Sequence, residues 1–183
     1  TMAEIVEAKY RFAKRRWHQE GVAAGFKKYP DRPYFVVGWC GQAAAPGYAL
    51  QVLADQLGDP DIPGMIQKSL DFLSTAEFYD GGFHTWYNYE EKAWSHHELL
   101  SQGQGMLNVA RAIRVGRATE YDTSHWEAFL KKAANFHAAR ILQPDWHPRS
   151  TAEAFFIVPL CLAADLFDSE LHRRAAIQAA EHY

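Results

Sequence analysis

The chain has 183 residues and a mass of 20.8 kDa, the size of one domain. Nineteen Lys and Arg against 22 Asp and Glu leave a net charge of −3, which excludes a nucleic-acid binder that works through bulk positive charge. Hydrophobic residues make up 48%, too many for a disordered chain, and two cysteines (Cys40, Cys161) make neither a disulfide scaffold nor a zinc-finger spacing.

Taken in order, the elements are mostly helices. Residues 3–20 repeat apolar positions at Val6, Tyr10, Ala13 and Trp17, a helical stripe that ends at Gly21. A second helix spans about 43–57, with Leu50, Leu53, Ala54 and Leu57 on one face and Gly58 as its stop. Asp61 is placed to cap a third, with Pro63 in the first turn and Ile62, Ile66, Leu70 and Leu73 on one face. The fourth runs from about Ser101 to Val115 and stops at Gly116. Capping boxes, Ser124 with Glu127 and Ser150 with Glu153, open the fifth and sixth. The seventh begins near Ser169. The strand candidate is Phe83 to Tyr89, paired across a turn with Lys92-Ala93-Trp94.

The longest apolar run, Ala154 to Ala164, is eleven residues interrupted by Pro159, against the roughly 20 that span a bilayer, so it reads as a buried helix. Thr1 precedes Met2, and helical pattern continues into Tyr183, which reads as a piece cut from a longer chain whose targeting signals lie outside it.

The helices fall into two kinds. The second, fourth and sixth are rich in small or apolar residues, whereas the first, third, fifth and seventh carry more charge. Cys40-Gly41-Gln42 and Gln102-Gly103-Gln104 open the second and fourth, 62 residues apart. Such alternation predicts an all-α domain of buried and half-exposed helices stacked as hairpins, with one small β-hairpin. The second, fourth and sixth helices should then be the more buried ones, and a sixth helix on the solvent surface would contradict this arrangement.

The pattern resembles the six-hairpin toroid superfamily, the (α/α)6 barrels of many glycosidases, sugar epimerases and polysaccharide lyases. The resemblance is carried by the alternating helices, by Ser101-Gln102-Gly103-Gln104-Gly105 and by Tyr79-Asp80-Gly81-Gly82-Phe83, and it covers about residues 35–183. It implies an incomplete ring of about three and a half hairpins, acting on an oligo- or polysaccharide, with open edges through which copies self-associate.

In an up-down array the long connectors at 22–41, 79–98 and 143–149 share one rim. They hold 47 of the 183 residues but 12 of the 26 aromatics, an excess that mere connections do not need. Rings and amides suit a sugar, whose C–H face stacks while its hydroxyls take hydrogen bonds. The candidate binding residues are Trp39, His84, Trp86, Tyr87, Trp94, His97, Gln102, Gln104, Trp146 and Arg149. Asp80 and Glu98, at opposite ends of one rim loop, are the candidate catalytic carboxylates of a glycoside hydrolase. Each residue also has a plain structural use: the tryptophans as a packed lid, Asp80 and Glu98 as caps, Arg149 as the partner of Asp145.

A lyase or epimerase would instead abstract a proton beside a uronate carboxylate with Tyr or His, and His84, Tyr87 and His97 would then matter most. A third reading is a non-catalytic helical solenoid that grips a protein partner. His96-His97-Glu98 does not converge on one ion from a helix, and no cofactor, metal, nucleic acid or membrane partner is expected.

Overall fold

The computed structural model describes residues 1–38 and 44–183. Trp39, and the Cys40-Gly41-Gln42 opening expected for the second helix, lie outside the described residues. The chain is not the expected all-α toroid. Among the described residues, seven α-helices and one short 3-10 helix are joined by seven strands in three small sheets, a mixed α and β architecture.

Helix α1 (Met2–Arg16) is opened by a capping box between Thr1 and Glu4. It ends earlier than its apolar stripe suggested, because Trp17 leaves the helix and starts strand β1 (Trp17–Glu20). Gly21, at a left-handed φ of 59°, turns the chain back into β2 (Ala23–Phe26), antiparallel to β1. All four residues of β2 are buried, so no alternation of burial marks it in the sequence. α1 has no buried residue of its own. It is held by Tyr10, which donates to Asp59, and by Lys14, which bridges Asp59 at 2.5 Å and Asp61 at 3.3 Å.

Strand β3 (Tyr34–Val36) is followed by α2 (Ala44–Leu57) and α3 (Ile62–Leu73). The Asp61 side chain makes no cap hydrogen bond at the start of α3. Two tight strands, β4 (Phe78–Tyr79) and β5 (Gly82–Phe83), form one hairpin. β6 (Trp86–Asn88) pairs with β7 (Ala93–Ser95) on one side and β3 on the other, giving the sheet order β3-β6-β7. The expected hairpin is therefore present, with Trp86 opposite Ser95 and Tyr87 opposite Trp94, but as two thirds of a three-stranded sheet.

α4 (Leu99–Gly116) and α5 (Ser124–Ile141) follow, then the 3-10 helix over Thr151–Phe156, α6 (Ile157–Phe167) and α7 (Glu170–Ala180). α5 is preceded by Thr123, whose hydroxyl donates to Glu127; Ser124 is already inside the helix. Glu153 does not cap. It is buried, and Arg140 of α5 donates to both its oxygens at 3.0 and 2.6 Å.

The helices form two layers, α2, α4 and α6 in one and α3, α5 and α7 in the other. α2 and α6 flank α4 and run parallel to it: Gln51 bonds the Ala112 carbonyl, Gly103 lies against Phe155, and Arg117 bonds the Leu166 carbonyl. Between the layers Trp126, Leu130, Met106, Ile113, Ile66 and Leu160 are fully buried. The first layer is not the more buried of the two. α6 is apolar except for the exposed Asp165, but only Pro159, Leu160, Ala163 and Ala164 are buried, while Val158 and Cys161 face solvent. That surface position removes the closed-ring arrangement. A smaller aromatic core, Phe35, Phe72 and Tyr89 with Ala23, sits under the three-stranded sheet.

Candidate active site

The site is built where the β4–β5 hairpin meets the start of α4. Gly82 has a φ of 121°, and a Cβ there would stand 2.2 Å from the Gln102 side-chain oxygen, so the turn needs glycine both for conformation and for space. The close approach places Gln102, fully buried in the first turn of α4, directly behind the turn. Its Nε2 donates to the Tyr79 hydroxyl at 3.2 Å and toward the Gly81 carbonyl at 3.4 Å. A carbonyl only accepts, so the amide nitrogen must face this side, and the phenol oxygen receives one hydrogen bond while its own proton stays available. The Gln102 oxygen is buried without a partner among the described residues. Burial raises the Tyr79 pKa above its ordinary value, partly offset by the Gln102 hydrogen bond, so the phenol is held protonated.

Two imidazoles lie against that phenol. His84 stacks on Tyr79 with ring centroids 4.9 Å apart and planes 24° apart, and His97 stands 5.0 Å away. The next residue back, His96, adopts a left-handed φ of 57°, uncommon outside glycine and a cost the surrounding structure must absorb. That conformation aims its carbonyl at the Thr85 N–H (3.0 Å) and at Nδ1 of His84 (3.2 Å). Since a carbonyl cannot donate, Nδ1 of His84 carries the proton, and in the neutral ring Nε2 is left with its lone pair. The result is a fixed proton acceptor beside a fixed proton donor.

The expected carboxylates sit around this cluster in different states. Asp80 is exposed at the tip of the turn. Glu98 precedes α4 in extended conformation and accepts from the Ser101 hydroxyl at 3.0 Å. Helix α4 starts at Leu99, so Glu98 stands at its N-terminus without capping it through its side chain. Among the described residues no three His, Cys, Asp or Glu side chains are grouped to hold a metal ion.

The aromatic residues divide. Trp86 stacks on His96 at 4.7 Å, meets Tyr34 edge-on at 5.5 Å and has the Lys28 ammonium 5.0 Å from its centroid. Tyr87 and Trp94 point the other way, onto Phe72 of the small core, at 4.7 and 5.7 Å. Trp86 and Tyr87 are neighbours on β6, so their rings leave opposite faces of the sheet. Trp146 is half-buried, edge-on to His182 at 5.2 Å, and belongs to the main core. Arg149 is exposed and does not pair with Asp145, whose carbonyl instead faces Nδ1 of His147 at 3.1 Å. Gln104 is half-buried on the opposite side of α4 from Gln102, and its carbonyl accepts from Asn108 at 3.0 Å.

His84, His97 and Gln102, named from the sequence, lie around Tyr79, which the sequence did not single out as a site residue. The available signal was its place: it precedes Asp80-Gly81-Gly82, and in a two-residue turn it pairs with Gly82. His96 was weighed in the sequence for its ring as a metal ligand, whereas here its backbone carbonyl fixes His84, a role that leaves no mark in the sequence. No family model, no curated protein and no solved structure matches the chain. The resemblance to six-hairpin toroids therefore rests on the sequence pattern alone.

Proposed function

We propose that the chain is a carbohydrate-active enzyme domain whose chemistry is proton transfer by Tyr79 and His84, in the manner of a lyase acting on a uronate-containing saccharide. The observation that supports this reading over glycoside hydrolysis is the Tyr79–His84 stack with both groups fixed from behind, by Gln102 and by the His96 carbonyl. An inverting or retaining hydrolase needs one carboxyl held in an apolar pocket and a second facing it. Asp80 stands in water and lacks that pocket.

In the elimination, Nε2 of His84 takes the proton on the carbon next to the uronate carboxylate. The electron pair left behind forms the C4–C5 double bond, the C4–O bond breaks, and the Tyr79 hydroxyl gives its proton to the departing oxygen. His97, exposed beside both, faces the substrate. Tyr79 fits the donor role because its oxygen accepts from Gln102, which leaves the hydroxyl proton free to be given.

The test is incubation with a 4-linked polyuronate. Elimination gives an unsaturated, conjugated uronate that absorbs in the ultraviolet. Absorbance should rise with the wild-type chain and fail to rise with Tyr79→Phe or His84→Gln, both folded by circular dichroism. New reducing ends without absorbance, lost in Asp80→Asn and Glu98→Gln, would return the site to hydrolysis. Neither signal would remove the enzymatic reading.

A further inference from the structure

A groove of about 650 Å³ lies between α2, α4 and α6. Its walls are Tyr48 from α2, Arg111, Arg114 and Val115 from α4, and Val158 and Leu162 from α6. None of the residues that line it is acidic. Arg111 and Arg114 are one helical turn apart and both exposed. The Arg111 guanidinium rests over the Tyr48 ring, 5.8 Å from its centroid. Among the described residues neither arginine has an ion pair, whereas Arg117, Arg140 and Arg173 each have one.

We propose that this groove is a binding subsite for the carboxylates of an acidic saccharide, with Arg111 and Arg114 as the two anion-binding groups. The inference rests on the uronate reading above and extends it to a second stretch of the ligand. The guanidinium is the side chain suited to carboxylate, because its planar fork donates two parallel hydrogen bonds. An unpaired pair of them in a groove with no carboxylate of its own leaves an anion to be supplied from outside. The apolar walls, Tyr48, Val158 and Leu162, match ring faces rather than a bare inorganic ion.

Gln104, Asn108 and Arg111 are spaced by four and three residues, so they share one face of α4. Seven residues of helix separate Gln104 from Arg111, a rise of about 10 Å. That face is turned away from Gln102 and the proton-transfer cluster, so the groove is a binding surface separate from it, carried by the same helix.

The experiment is titration calorimetry with tetragalacturonate, and with the neutral galactotetraose as the uncharged counterpart, on the wild-type chain and on Arg111→Gln, Arg114→Gln and Arg111→Lys. Each glutamine variant should weaken tetragalacturonate by about tenfold, the scale of one charge-assisted hydrogen bond, and leave galactotetraose unchanged. Arg111→Lys, which keeps the charge but loses the fork, should lose part of the affinity. Equal binding of the charged and neutral saccharides, or variants that bind as the wild type does, would overturn the subsite. Competition by inorganic phosphate at similar concentration would overturn it in favour of a phosphate ligand. Failure of the two readings is separable: arginine-dependent binding without ultraviolet product removes the lyase reaction and keeps the subsite, while product formation indifferent to both arginines does the reverse. No binding and no product overturns both.

Discussion

The sharpest test of the fold's energetics is acid, acting through His137. This residue lies in α5 with 0% exposure, its ring stacked on Phe156 at 4.0 Å, and neither ring nitrogen has a partner among the described residues. Burial pushes its pKa down from 6.5 to about 3, with the Arg140 charge adding to the effect. The folded protein therefore keeps His137 neutral while the unfolded chain protonates it near pH 6.5. Between about pH 6.5 and 3 unfolding takes up a proton, so the stability is full above that window and is lost as the pH falls through it. Well inside the window each pH unit costs about 1.4 kcal/mol, and the drop from pH 7 to 5 costs about 2 kcal/mol. That is a large share of the roughly 5–15 kcal/mol that holds a domain together. The assay is urea unfolding at pH 7, 6 and 5 of the wild-type chain and His137→Leu. Taking the difference between the two cancels the other titrating groups, including His172, whose pKa burial also lowers. The variant should gain on the wild type by about 2 kcal/mol across that range. A difference that does not change with pH, or a His137 ring that titrates near 6.5 in the folded protein, would refute the argument.

Two further outcomes are expected. Arg140→Ala should cost about 3–5 kcal/mol in urea unfolding, because it leaves the Glu153 carboxylate buried and unpaired; Glu153→Ala should cost less, since the Arg140 side chain keeps 27% exposure and reaches water. Trp126→Ala should cost about 3–5 kcal/mol, since the ring is fully buried and Nε1 donates to Asp71 at 2.8 Å, whereas Trp86→Ala, at a half-buried position on β6, should cost nearer 1–2 kcal/mol. Equal costs would make the rim aromatics a packed lid and take away support for a saccharide surface.

The helices were legible because their signals are local. Gly58, the Ser169 cap, the stripe of α3 and the polar start of α5 place most boundaries within a few residues. What was not legible was the β structure, for two physical reasons. Strands of two to four residues are too short to show a period of two. β2, paired along its edge with β1, packs on α3 and against Phe35 and is buried at every residue, so its sequence Ala23-Ala24-Gly25-Phe26 shows no alternation at all. Those strands turned the expected all-α array into a mixed fold. The Ser150-Glu153 spacing misled in a different way. Spacing alone cannot say whether a carboxylate turns back to the backbone or inward, and Arg140, thirteen residues upstream, decided it. The candidate site was legible in its loop but not in its centre, because Tyr79 matters through the groups that fix it, and two of those contacts involve backbone carbonyls.

Helix α4 carries both the proton-transfer cluster and the arginine groove, on opposite sides, and this yields a last prediction. Gln102 and Gln104 are two residues apart, so they leave the helix on nearly opposite sides. The first holds Tyr79 and the second heads the face that leads to Arg111. Gly103 lies between them against the 3-10 helix, where a Cβ would stand 2.8 Å from both the Phe155 carbonyl oxygen and its Cβ. One of those contacts is backbone, which cannot swing aside as a flexible side chain would. Gly103→Ala must therefore move α4 away from Phe155, at a cost of about 1–3 kcal/mol for overpacking. Because α4 is rigid, the displacement reaches Gln102 and the groove together. The variant should remain folded by circular dichroism, unfold at lower urea, and lose both ultraviolet product formation and the preference for tetragalacturonate over galactotetraose. Loss of one property with the other intact would show that the two regions are set independently, and would refute α4 as the element that aligns them.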